Sequence, residues 1–410
     1  MVDSMRILVP RDLLEATIDL LRKDMFALHE LGRKQHLEIL FQLYILSGFY
    51  PSDPPLQGWE VATADIEPIA SAEYADIWKG MFLGRQKVAL KRIIRRRDDD
   101  LKGAVQMSSL PAGYADKWKG MFLGRQKGTI TGSLKRDDDL KDAVQRVNIG
   151  RHLWNGLRHP NILPTIGLVT DGIDIGPCLI SPWMDCGDLL EYLHHHADVP
   201  CLPLIGQIAD GLEYLHTYEP PIVHGGLKGD TIFISSTGNA FIGDFRLLQT
   251  FSDIEQSRGS MSSSWRTPGN PRWMAPELLL DDTAESRSLS SDVFAFGRVI
   301  HECFTRRDPW AGFSSARIIF VVSRGELPPR PLSEDVISRG LDDNMWRLME
   351  HCWNLNPSER PTIQHIARHL RPAIQSPRRK FQYFYYASEY LCALFDAEVM
   401  NSILSETQHH

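Results

Sequence analysis

Three short segments carry the side chains best suited to holding phosphate and metal. In Val223-His224-Gly225-Gly226-Leu227-Lys228-Gly229-Asp230-Thr231-Ile232-Phe233-Ile234 a cation, a carboxylate and a hydroxyl fall within four residues, between apolar flanks. Val88-Ala89-Leu90-Lys91 alternates as a half-buried strand does and ends on a lysine. Ile242-Gly243-Asp244-Phe245-Arg246 places a carboxylate eighteen residues after Gly226. A lysine is a point charge for phosphate, and a carboxylate is a hard oxygen ligand for a divalent cation.

Order and spacing extend the pattern. Downstream come Trp273-Met274-Ala275-Pro276-Glu277, Ser291-Asp292-Val293-Phe294-Ala295-Phe296-Gly297 and Pro357-Ser358-Glu359-Arg360-Pro361. Upstream come Arg158-His159-Pro160-Asn161-Ile162 and Ser181-Pro182-Trp183-Met184. Together these segments resemble, in order, the motifs of a protein kinase over roughly residues 60–372. The wording around Trp273 and Ser181 is similar to the tyrosine-kinase-like kinases of fungi. The resemblance implies an α+β, bilobal kinase fold: a small antiparallel sheet lobe with a helix C, and a large helical lobe. It also implies that Asp292 supports the catalytic-loop backbone and that Glu277 pairs with Arg360.

The same resemblance exposes what is missing. A kinase catalytic loop reads His-Arg-Asp-Leu, three further residues, then Asn. Here Gly226 stands at the aspartate base, Thr231 at the metal-binding asparagine and Gly225 at the loop arginine, while Lys228 is kept. Thr231 offers a neutral hydroxyl, a poor magnesium ligand. Asp244 is the intact metal ligand, with Arg246 beside it where a glycine is usual. The phosphate-covering loop maps onto Ala70, Ala72 and Ala75 in place of three glycines, which weakens close approach of backbone to phosphate. Ile77, Ala89, Lys91, Ser181, Met184 and Phe233 map onto nucleotide contacts, and Phe233 brings a ring where leucine is usual. The glutamate partner of Lys91 would fall on Gly150, which is no acid.

Composition sets the class. The 410 residues are 43% apolar, enough for a large core, and the net charge of −7 argues against nucleic acid as the main partner. No apolar run approaches the ~18 residues a membrane span needs. No basic stretch followed by an apolar run opens the sequence, so no secretory signal is expected. The six scattered cysteines form no Cys-x-x-Cys pair and read as reduced thiols of a cytoplasmic protein, with the nucleus as the alternative.

Along the chain, residues 1–50 form a helical appendage. Leu14, Ile18, Leu21, Met25 and Leu28 line one stripe; Leu37, Leu40, Phe41 and Tyr44 line another. Residues 51–65 are a linker. The kinase-like region runs over 66–372, with a small lobe over 66–181 and a large lobe over 185–372. An aromatic tail follows over 373–410. Within the small lobe, Trp78 to Lys87 recurs unchanged as Trp118 to Lys127, and Arg97 to Lys102 recurs as Arg136 to Lys141, so 112–145 duplicates a strand segment. This is a local tandem duplication or a gene-prediction artefact. Alternation favours the first copy as the sheet strand, whereas spacing to helix C favours the second. The first is expected, with 98–135 inserted.

These features lead to an expected pseudokinase: a kinase fold acting as a scaffold or allosteric partner of other proteins, with weak or no binding of ATP and Mg. The alternative is a divergent Ser/Thr kinase.

Overall fold

The computed structural model describes residues 11–25, 30–47, 56–64, 67–71, 75–93, 157–170, 172–173, 175–176, 178–243, 249–250, 270–280 and 287–371. The second repeat copy, Ala72, Gly150, Asp244 and the aromatic tail lie outside them. The described residues fall into two compact units, one containing 11–93 and 165–181, the other 157–164 and 182–371.

The first unit is built on an antiparallel sheet. Its strands are β1 (Val61–Thr63), β2 (Ala70–Ser71), β3 (Ala75–Phe82), β4 (Gln86–Ile93), β5 (Gly167–Val169) and β6 (Cys178–Pro182). Their order is β1-β3-β4-β6-β5, with β2 pairing β3. β3 and β4, the first copy of the repeat, form a hairpin in which Phe82 faces Gln86. Its turn has Leu83 at φ 50° and Gly84 at φ 68°. Two successive positive φ values match the twist of a tight hairpin, and glycine adopts them without a Cβ clash.

The hairpin's alternation decides its burial. Val88 and Leu90 are fully buried, while Ala89 and Lys91 are half-buried. Helices α1 (Arg11–Asp24) and α2 (Glu30–Ser47) add Ile18, Leu21, Leu40 and Tyr44 to the core that holds Trp78, Phe82, Val88 and Leu90. The apolar stripes of the N-terminal segment are therefore used inside the sheet unit. Arg22 of α1 forms a buried bidentate pair with Glu60, just before β1 (Nε–Oε1 3.1 Å, Nη2–Oε2 2.9 Å).

The second unit is mainly helical: α3 (Leu189–His195), α4 (Cys201–His216), α5 (Glu277–Leu280), α6 (Leu289–Thr305), α7 (Ser315–Ser323), α8 (Glu334–Ser338), α9 (Asp343–Cys352) and α10 (Ile363–Leu370). Short strands β7 (Ile222–Val223) and β10 (Gln249–Thr250) pair, as do β8 (Ile232–Ile234) and β9 (Ala240–Ile242). Between α9 and α10 the chain passes through a 3-10 turn at Pro357–Glu359. Pro357 and Pro361 explain the break, since proline cannot continue a helix. α6 is buried almost all round, which marks it as the spine of this unit. Its start is fixed by a capping box in which Ser288 and Ser291 bond each other's backbone amides. The two units together make the α+β architecture that the motifs imply.

α6 also carries a buried titratable group, His301. Burial, helped by Arg298, pushes His301 down to about 3. Above its ordinary value of 6.5 the ring is neutral in folded and unfolded chains alike. Between 6.5 and about 3 the unfolded chain takes a proton that the folded one refuses, so stability falls as pH falls. The expected loss is about 1.4 kcal/mol per pH unit. Denaturant midpoints of the native chain and His301→Gln, measured across that window, should diverge as the medium acidifies. Parallel curves would show that His301 does not set the slope.

Candidate functional site

In the sheet unit, Ala70 of β2 stands opposite Ile77 of β3, which stands opposite Lys91 of β4. Three of the residues expected to meet nucleotide thus form one row across three strands. Ala89 is paired with Lys79 and shares the face of Lys91, because alternate side chains point the same way. That face lies opposite the one α1 and α2 cover. Ala75 opens β3 opposite Ile93. Ser181 lies in β6.

In the helical unit, Met184 packs with Leu163, Phe241 and Phe233 in a small apolar cluster. The Phe233 ring also closes on Gly243, where an added Cβ would meet it at 2.9 Å.

The loop between β7 and β8 is held from beneath by Asp292. Its Oδ2 accepts from the His224 amide at 2.8 Å and lies 3.0 Å from His216 Nε2; its Oδ1 accepts from the Gly225 amide at 2.8 Å. The carboxylate is 1% exposed, so these donors take the place of water. The support role expected of Asp292 is thus seen directly. His224 in turn bridges Gly243 O (Nε2, 2.9 Å) and accepts from Gly226 N at Nδ1 (3.3 Å), which assigns its proton to Nε2.

At position 225 the backbone has φ 72°, a conformation that glycine adopts freely and other residues resist. Arg287 Nε donates to the Gly225 carbonyl at 2.7 Å. Burial lowers the Arg287 pKa, and Asp292 opposes that shift. A guanidinium thus reaches residue 225 from sixty-two residues away in sequence, although the residue itself has no side chain. Nothing local in the sequence signalled this.

The polar groups left in the loop bond one another. Thr231 Oγ1 donates to Lys228 O at 2.9 Å and accepts from Lys228 N at 3.1 Å. Lys228 Nζ lies 2.5 Å from Asp230 Oδ2 and faces the Trp273 ring. Gly226 places no side chain over the loop. Below it, Glu302 Oε2 accepts from Gly229 N (3.0 Å) and Trp273 Nε1 (2.7 Å). Complete burial pushes that carboxyl well above the usual range, while its bonds to Trp273 and the Gly229 amide oppose the shift. Glu302 and His216 are further loop supports that the motifs did not single out.

Glu277 and Arg360 pair as the motifs imply, in a fork of 2.6 and 2.7 Å, with Arg360 also bonding the Asn354 and Ser290 carbonyls. This joins α5 to the turn before α10.

These described groups do not suit a magnesium ion. The Thr231 hydroxyl is engaged on both its donor and acceptor sides, and the Asp230 carboxylate is held by a lysine. The row Ala70, Ile77 and Lys91 sets a small, an apolar and a cationic side chain along one line of the sheet.

Among known proteins, the chain is 30% identical over 230 residues to the serine/threonine-protein kinase CTR1 of Arabidopsis thaliana, covering 54% of this chain and 26% of that protein. It is 31% identical over 249 residues to the probable serine/threonine-protein kinase drkA of Dictyostelium discoideum, covering 60% and 35%. For drkB of the same organism the identity is 31% over 230 residues, covering 55% and 30%. The chain spans about a third or less of the length of these curated relatives. Residues 131–370 match the model of the protein tyrosine and serine/threonine kinase family, a stretch that begins within the second repeat copy and omits the first. With more than half of its residues in that match, the chain belongs to the protein tyrosine and serine/threonine kinase family.

Proposed function

We propose that the chain is a pseudokinase: a kinase fold kept as a protein-binding scaffold or allosteric partner, with weak or no binding of ATP and Mg. The observation that carries this reading is the loop at 224–231. Gly226 offers no acceptor for a substrate hydroxyl, and the Thr231 hydroxyl is engaged within the loop itself. Loss of a base alone leaves positioning and electrostatics, which supply most of the rate in phosphoryl transfer. Here the metal-binding asparagine, the helix C glutamate and the phosphate-loop glycines are replaced as well. Meanwhile Asp292, Glu277 and Arg360 keep their fold-holding bonds. Binding surfaces for protein partners fall to residues 11–47 and to the tail at 373–410. A cytoplasmic setting belongs to this reading, supported by five free thiols among the described residues. Among those residues no helix is long and apolar enough to cross a membrane.

The relatives' names as serine/threonine kinases, with Lys91 and Lys228 in place, favour the second reading: a divergent Ser/Thr kinase that moves the ATP γ-phosphate to protein hydroxyls. A radiolabel transfer assay separates the two. The pseudokinase reading expects no incorporation above the Asp244→Ala background. It also expects Mg·ATP to raise the unfolding midpoint by less than about 1 °C, with Lys91→Met no different. Autophosphorylation abolished by Asp244→Ala would overturn it.

A further inference from the structure

Scattered exposed apolar side chains need no explanation, but a patch of them does. Among the described residues, six of the seven exposed large apolar side chains fall between Ile319 and Leu355. Four of the six lie on α7 or at its end. Ile319 and Phe320 stand on its outer face, away from the buried Ile318, Val321 and Val322. The helix then closes on a left-handed glycine. Gly325 has φ 74°, its amide donates to Val322 O at 2.9 Å, and the Glu326 amide donates to Val321 O at 3.0 Å. Leu327 follows this turn. Leu355 lies over it, since a Cβ on Gly325 would meet Leu355 Cδ1 at 2.7 Å. Phe320 is 57% exposed and Leu355 53%, so the described fold leaves both largely uncovered.

Charge gives the patch a direction. Arg317, Phe320 and Arg324 are spaced i, i+3, i+7 and so share the outer face. The Arg317 guanidinium lies 3.9 Å over the Phe313 ring, and that of Arg324 lies 5.3 Å over the Phe320 ring. Stacking on a ring leaves the in-plane N–H fork for a carboxylate. The first turn of α7 carries no acid. Glu326 Oε1 lies 3.6 Å from Arg324 Nε, but both side chains are at least half exposed and such a pair is weak. The patch is thus apolar along its centre and cationic along one flank, in a chain whose net charge is −7.

That flank selects the occupant. Antiparallel pairing of α7 with a second copy of itself sets Arg317 against Arg324 of the other chain, and like charges repel. An anionic lipid surface would attract two arginines but repel the acidic chain that carries them. A helix with an apolar stripe and two carboxylates seven residues apart answers both features. Seven residues rise about 10 Å along a helix, the same step that separates Arg317 from Arg324. We propose that the outer face of α7, with Leu327 and Leu355, is a docking surface for an acidic amphipathic helix of a partner protein. This docking rests on the protein-binding role proposed above and adds to it the surface and the partner's chemistry.

The test uses the full chain and two labelled synthetic peptides of ~18 residues, about five helical turns. Both carry Leu and Phe along one face. One has Glu at two flanking positions seven apart, and the other has Lys there. Fluorescence anisotropy without ATP should show the Glu peptide binding at least about tenfold more tightly. Phe320→Asp should weaken that binding about tenfold, with the unfolding midpoint nearly unchanged because the ring is exposed. Arg317→Glu with Arg324→Glu should reverse the preference toward the Lys peptide. Equal binding of the two peptides, no binding by the native chain, or a Phe320→Asp chain that binds as well as the native one would overturn the surface. Two other results would reassign it, if Phe320→Asp abolishes them while the Glu peptide goes unbound. Pelleting with phosphatidylserine vesicles would assign the patch to a membrane, and a doubled molar mass in light scattering to a second copy. A positive transfer assay would overturn the pseudokinase reading and leave the peptide result standing.

Discussion

Glu60→Ala is expected to cost the sheet unit about 3–5 kcal/mol, the usual penalty for removing one partner of a buried ion pair. Glu60 is fully buried and answers four donors: Arg22 Nε at 3.1 Å, Arg22 Nη2 at 2.9 Å, the Gln57 amide at 2.7 Å and the Tyr44 hydroxyl at 3.5 Å. Burial raises its carboxyl above the ordinary range, while Arg22 opposes that shift. With the carboxylate gone, the Arg22 guanidinium loses the buried acceptor of two of its N–H groups. Domains have only about 5–15 kcal/mol of stability, so this one change removes a large share. The expected first step is release of α1 and α2 from the sheet, read as faster hydrogen exchange across α1, α2, β3 and β4. A double variant, Arg22→Met with Glu60→Leu, removes both charges and should recover most of the loss. If Glu60→Ala shifts the midpoint by less than about 1 kcal/mol, the pair is not desolvated as its geometry implies.

Asp292→Ala is the second large effect, and it falls on the 224–231 loop. It strands the His224 and Gly225 amides and the His216 ring, at about 1–3 kcal/mol for each buried donor left unanswered. Arg287, which reaches the same turn, loses the charge that favours its cationic form. Asp292→Asn should do nearly as badly. One oxygen remains, but an NH2 group then faces a backbone N–H, and two donors cannot bond each other. Hydrogen exchange at the amides of 224–229 checks this directly. Native-like protection in Asp292→Asn would mean that the loop is ordered by something other than this carboxylate.

Both effects involve residues whose importance was legible to different degrees. Asp292 sits in a recognisable segment, so its support of the loop could be expected from motif order alone. Glu60 could not: it precedes β1 in an unremarkable linker, and its partner lies thirty-eight residues earlier. The hairpin of β3 and β4 was legible because alternation is a local property of seven or eight residues. The break between α9 and α10 was partly so, since proline acts on its own backbone.

The amino-acid sequence by itself determined the family, the order of its motifs and the residue types missing from the catalytic loop. Those are matters of identity and spacing along the chain, which no folding is needed to read. The tertiary structure alone decided what the remaining groups do. It turned the Thr231 hydroxyl into a loop brace, brought Arg287 to the carbonyl of Gly225 and set Glu302 beneath Gly229. The physical reason is that burial and hydrogen bonding depend on which distant segments share a core. Residues sixty or seventy positions apart carry no local mark of the partner that desolvates or satisfies them.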